Sequence, residues 1–198
     1  MIDCEEIMIF KFLAVSVMLL FYGIYFIKMF IQKRKGITTR QLGKNKNKNI
    51  KIVEILLSIA TYIIIPIQLA SIIFDLSDLN DSLRYIGFFV GMLGNIIFLI
   101  SVITMKDSWR AGIPSEDHTE FISNGIYKIS RNPAFLGFDL MYIGICLLYF
   151  NYLTIIFSLF AIIMLHFQIL QEEKYLEKTF KEEYISYKNK VFRYIGRR

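Results

Sequence analysis

The sequence predicts an all-α integral membrane protein of about five transmembrane helices, with a C-terminal helical hairpin and an interfacial amphipathic C-terminal helix. Three observations carry this. Of 198 residues, 55% are hydrophobic and 16% aromatic, and the mean hydropathy is +0.48, too apolar for an ordinary soluble domain. Long stretches run without charge, at lengths that suit a hydrocarbon core about 30 Å thick. Basic residues concentrate in one loop, as they do on the cytoplasmic side of a membrane. The net charge of +6 therefore reads as orientation in a bilayer and argues against a nucleic-acid partner.

The first span is expected at about 7–31, with Lys11 and Lys28 near its ends, where their stems snorkel to the headgroups. Its acidic flank, the basic cluster behind it and the lack of a small-residue cleavage site argue against a cleaved signal peptide. Spans follow at 55–74 and 85–105, both without charge; Pro66 in the former is expected to kink it. Gly87, Gly91 and Gly94 suit close helix packing. Residues 140–171 carry no charge and as one helix would be about 48 Å long, too long for one crossing. Asn151 is the best turn residue there, so the stretch reads as two spans, 134–150 and 152–170.

The loop from 32 to 51 holds eight basic residues, among them Arg40, and no acid, so it is assigned to the cytoplasm. Its charge exceeds that of the whole chain, and it reads as a topology signal apart from any active site, with 44–51 a solvated loop. The acids Asp75, Asp78 and Asp81, and Asp3, Glu5 and Glu6 at the N-terminus, fit the outside. Five spans then put the N-terminus outside and both 106–133 and the tail from 172 inside. Cys4 and Cys146 are far apart and read as free thiols, and His118 and His166 stand on different elements, so no metal site is expected.

The segments 106–133 and 172–198 bracket the hairpin and should meet at the cytoplasmic face. Trp109 is either an interfacial anchor, the favoured reading, or the wall of a ligand pocket. Pro133 opens a helix whose N-terminal amides suit an anionic or hydroxyl-rich ligand. Asp139 is a charge at membrane depth, facing a cavity or a partner. Leu176, Phe180, Tyr184, Tyr187 and Val191 recur at helical spacing, as in an amphipathic helix lying under the hairpin.

The run GIYKISRNPAFLGF (125–138), a hairpin, and QEEKYLEKTFKEEYISYKNKVFRYI (171–195) together resemble the C-terminal half of the isoprenylcysteine carboxyl methyltransferase family, relatives of the phospholipid methyltransferases. The resemblance covers about 105–195. It implies a single membrane domain in which 1–105 supply three spans and 106–198 form the catalytic half. It further implies S-adenosylmethionine taken from the cytosol and a lipophilic or lipidated acceptor, of the isoprenylcysteine carboxylate type, entering from the lipid bilayer. Carried over by position, Thr119, Glu120, Phe121, Ile122, Tyr127, Asn132, Pro133, Ala134, Phe135 and Glu172 would line the cofactor site.

Within that resemblance Glu172 would accept hydrogen bonds from ribose hydroxyls and Arg131 would pair with the methionine carboxylate of the cofactor. Arg131, Asn132 and Glu173 are the candidate catalytic residues, and Gln168, Asp139 and Trp109 the candidate substrate contacts. Asn132 replaces the family's usual His and Phe135 its usual Tyr, which removes any role needing a titrating imidazole. Gln168 stands where eukaryotic members place an Arg, and the amide loses the bidentate ion pair with a substrate carboxylate. A carboxylate acceptor is ionised at neutral pH and needs no base; an amine would need one, and only Glu173, Asp139 and His118 offer themselves. Two other readings are an NADPH-dependent enzyme resembling the sterol reductases, for which no basic 2′-phosphate cluster is found, and a non-catalytic membrane scaffold.

Overall fold

The computed structural model describes residues 4–42, 48–113 and 120–198. Among the described residues five α-helices form in the expected order: α1 (Cys4–Arg34), α2 (Lys48–Ile73), α3 (Asp81–Met105), α4 (Pro133–Leu148) and α5 (Tyr152–Lys190). Four are long and apolar enough to cross a membrane; α4 is shorter, and its 16 residues rise about 24 Å. Large apolar side chains such as Phe12, Leu19, Ile59, Phe89, Ile156 and Ile163 face outward, as lipid requires. The chain is a multi-pass membrane protein.

Helix α3 packs along α4 and α2 along α5. The first pairing rests on the glycines expected to admit a neighbour: a Cβ at Gly144 would stand 2.4 Å from the Gly91 amide nitrogen, and one at Gly94 2.8 Å from the Gly137 carbonyl. Backbones meet directly there because neither helix carries a side chain at the crossing. Among the buried polar groups nearby, Asn95 donates to the Val17 carbonyl at 3.0 Å.

The hairpin turns at Asn151. Its side-chain oxygen accepts from the Leu153 and Thr154 amides, and the Thr154 hydroxyl accepts from the Asn151 amide, a reciprocal cap that starts α5. Its side-chain Nδ2 also donates to the Ser71 hydroxyl and to the Leu76 carbonyl, tying the hairpin to the end of α2 and the turn after it.

Helix α2 is continuous through Pro66. It also begins at Lys48, so Lys48 and Lys51 belong to a helix, and α1 likewise absorbs Lys33 and Arg34; the basic loop is shorter than expected. Residues 43–47 of the Lys and Asn alternation lie outside the described residues. The amphipathic helix is the continuation of α5, redirected at Lys181, whose φ of 45° breaks the helical path. Its stripe faces inward as expected, with Tyr184 and Val191 buried.

Candidate active site

After a 3-10 turn at Gly125–Lys128 the chain enters α4 through Ser130, Arg131, Asn132 and Pro133. Gly125 has φ +56°, a left-handed conformation that favours glycine, and a Cβ there would press on Thr104 at 3.0 Å. The C-terminal tail folds back onto this approach: the Arg131 amide donates to the Phe192 carbonyl at 3.1 Å, and the Gly196 amide to the Ile129 carbonyl at 2.7 Å.

Three residues singled out from the sequence converge here. Glu173 pairs with Arg131 at 3.0 Å and accepts from the Asn132 side-chain amide at 3.1 Å. A fourth, Arg193, was missed by sequence reasoning; it reaches the same carboxylate from the tail at 3.0 Å. Burial pushes the Glu173 carboxyl up. The Arg193 hydrogen bond, the charges of Arg131 and Arg193 and the Asn132 amide together outweigh that and hold it below the usual carboxylate range. A carboxylate so held is a poor proton acceptor. Arg131 was expected to take a ligand carboxylate; its guanidinium is instead committed to Glu173 and to the Lys188 carbonyl.

Asn132 occupies the N-cap of α4, yet its side chain makes no capping bond because it is turned toward Glu173 and the Arg193 carbonyl. The first-turn amides of α4, at Ala134 and Phe135, thus lack a side-chain cap. One helical turn before Glu172, Gln168 donates to its carboxylate at 3.0 Å, while the buried Gln168 carbonyl oxygen finds no partner among the described residues. Tyr127 is buried, its carbonyl accepts from the Tyr187 hydroxyl at 2.6 Å, and burial with nearby Tyr187 and Glu172 raises its phenol well above the usual value. Phe121 packs tilted against Phe180 and edge-on against Tyr184 and Tyr187, the Glu120 amide donates to Ser108, and Ile122 is half-buried. Thr119 and His118 lie outside the described residues.

Beside this cluster lies an apolar cavity of about 160 Å³ between α1, α2, α4 and α5. Ala134, Phe135 and Gln168 line it, as does Trp109. Trp109 is buried and packs edge-on against Tyr25 and Phe98, so it is a cavity wall; the interfacial-anchor reading is corrected. The basic loop does not stand apart either. Arg40 pairs its backbone with Ala111 and lines the same cavity as Trp109, a long-range contact that no local pattern announces. Asp139 is buried in α4 but is not among the lining residues, and one of its oxygens has no partner among the described residues. Nearby, His166 and the tail's Tyr194 share a 2.7 Å hydrogen bond.

The orphaned Gln168 oxygen, the uncapped start of α4 and the Glu172 carboxylate form a set of acceptors and donors that fits a polar, zwitterionic cofactor bearing hydroxyls. Residues 85–178 match the model of the isoprenylcysteine carboxyl methyltransferase (ICMT) family. No curated protein sequence matches the chain. The match supports a membrane methyltransferase, and it spans most of α3, the segment between α3 and α4, α4 itself and most of α5.

Proposed function

With residues 85–178 matched to the ICMT family, we propose that this chain transfers a methyl group from S-adenosylmethionine to the carboxylate of a lipophilic acceptor. One observation carries the reading. Gln168, hydrogen-bonded to Glu172 on the proposed cofactor side, also lines the apolar cavity, so the two sites share a wall.

S-adenosylmethionine, when bound, would supply a methyl on a sulfonium, and transfer would form an O–CH3 bond to the acceptor carboxylate while breaking the S–CH3 bond, leaving a neutral thioether and a neutral ester. The chain's own residues bind and orient. Glu172, steadied by Gln168, would accept from ribose hydroxyls. The first-turn amides of α4 would take the cofactor's carboxylate. Arg131, Asn132 and Glu173 hold that turn and the tail in place and act as positioning residues. The nucleophile is ionised at neutral pH, so no base is required and catalysis is alignment and exclusion of water. The apolar cavity walls favour an acceptor with a hydrocarbon body. The distribution of Lys and Arg supports an N-terminus outside, with the site and the C-terminus in the cytoplasm.

The test is a transfer assay on purified protein in detergent, with methyl-labelled S-adenosylmethionine and an S-farnesylated N-acetylcysteine. The expected product is organic-soluble label released by alkali as methanol. Label absent from every lipophilic carboxylate tried would contradict the reading.

A further inference from the structure

The C-terminal tail turns back on itself: Val191 bridges to Arg197, the Phe192 amide donates to the Gly196 carbonyl at 2.9 Å, and the Arg198 amide to the Lys190 carbonyl at 3.0 Å. The turn of this small hairpin reaches back along α5 toward the bilayer. Tyr194 in it bonds His166, which stands about 9 Å of helix rise before Glu172, inside the charge-free stretch of the fifth span. Around the turn Ile129, Phe192 and Ile195 stay exposed, Ile195 at 65%, and the bond from the Gly196 amide to the Ile129 carbonyl gathers them into one patch. Beside the patch lies a groove of about 340 Å³ whose lining includes Lys128, Lys190 and Arg197 with Ser186, Tyr187 and Glu183. The three cations are exposed, and among the described residues none forms an ion pair, so against the single acid Glu183 the groove keeps a surplus of positive charge. Neighbouring cations are already paired: Arg131 and Arg193 with Glu173, Lys188 with Glu177. Arg198 lies over the Phe192 ring and adds a further charge at the border of the apolar patch.

We propose that this surface docks on anionic phospholipid, with Lys128, Lys190 and Arg197 around the acidic headgroup and Ile129, Phe192 and Ile195 in the acyl region beneath it. Exposed apolar side chains bordered by unpaired cations match an acidic bilayer surface, where hydrocarbon takes the former and headgroups the latter. A small soluble anion would satisfy the cations and leave the apolar patch in water. Of the described residues expected to line the cofactor site only Phe121 borders the groove, so the docking stands apart from the methyltransferase reading. It bears on the junction at Glu173. Arg193 belongs to the same turn, between Phe192 and Tyr194, so lipid that pins the turn keeps Arg193 on the Glu173 carboxylate. Anionic lipid thus fastens the tail to the start of α4.

The test places full-length protein in nanodiscs of phosphatidylcholine alone or of phosphatidylcholine mixed with phosphatidylglycerol, and follows hydrogen exchange of residues 192–198, corrected for intrinsic rates. Exchange is expected to slow by about fivefold or more in the anionic discs, the effect of roughly one basic residue held at an acidic surface. Glycerol phosphate added to the neutral discs is expected to give no such slowing, which separates a lipid headgroup from a free anion. The combined variant Lys128→Gln, Lys190→Gln and Arg197→Gln is expected to exchange alike in both discs. Lys174→Gln with Lys178→Gln, exposed cations elsewhere on α5, is expected to keep the difference. Equal exchange of the unaltered protein in the two discs overturns the proposal without recourse to any variant. So does full protection by glycerol phosphate, a difference undiminished in the combined groove variant, or one lost equally in the Lys174 and Lys178 variant.

Discussion

Glu173 on α5 and Arg193 in the C-terminal tail meet at two points, Nη2 to Oε2 at 3.0 Å and Nε to Oε1 at 3.2 Å. The same carboxylate receives Arg131 and Asn132 from the start of α4. One acid thus fastens the tail, the fifth helix and the fourth to each other at the edge of the cavity.

Glu173→Ala leaves Arg131 and Arg193 facing each other without a counter-charge. Losing one partner of a buried ion pair costs about 3–5 kcal/mol. Arg193 is a third exposed, so its removal is partly answered by water and Arg193→Ala should cost only about 1 kcal/mol. Thermal unfolding in detergent separates the two; equal losses would show that the three-way junction is not what Glu173 supports.

The pH dependence has a definite sign. A carboxyl whose folded value is depressed stabilises the fold above its unfolded value, about 4.3 for Glu, and that contribution is lost as pH falls through the folded value. Tail docking should hold unchanged from pH 8 to 5 and weaken only below about pH 4. Hydrogen exchange of residues 192–198, corrected for intrinsic rates, reads this directly. Loosening between pH 8 and 5 would implicate a different titrating group.

At the crossing of α3 and α4, Gly144→Ala forces backbone against backbone, since its Cβ would fall 2.4 and 2.5 Å from Gly91 atoms. We expect a loss of roughly 3 kcal/mol or more, at the upper end of overpacking costs. Gly23→Ala, where nothing lies within 4 Å, should be neutral or slightly stabilising. Comparable melting temperatures for the two variants would contradict the packing described.

Asn151→Ala removes both acceptor bonds of the cap and the ties to Ser71 and Leu76. A lost cap alone costs about 1 kcal/mol. We expect about 2 kcal/mol in total, restored in part by Asn151→Ser or Asn151→Asp. A full loss in Asn151→Asp, which keeps the capping acceptor, would show that the ties to α2 dominate.

The fold was legible because its signals are local. Charge-free length marks each span, the asparagine between Phe150 and Tyr152 marks the turn, and glycine spacing on α3 marks the face that meets α4. At the site, Arg131, Asn132 and Glu173 were found through motif order, and the structure brings them together. Arg193 and Arg40 escaped because their contacts cross large sequence separations, and a lone arginine in a basic tail or loop looks solvated. Trp109 was weighed as an anchor since an aromatic beside a charge at a membrane boundary fits either role; only the packing of Tyr25 and Phe98 against it decides. The redirection of α5 at Lys181 has no proline or glycine to announce it.

The central claim is that the first turn of α4 and the turn of α5 from Gln168 to Glu172 hold S-adenosylmethionine. Isothermal calorimetry of the full-length protein in detergent with S-adenosylhomocysteine tests it without requiring an acceptor. The account predicts saturable one-to-one binding, weakened at least tenfold in Glu172→Ala. Folded protein that gives no saturable heat with this ligand, or a Glu172→Ala variant that binds it as tightly as the unaltered chain, would contradict the account.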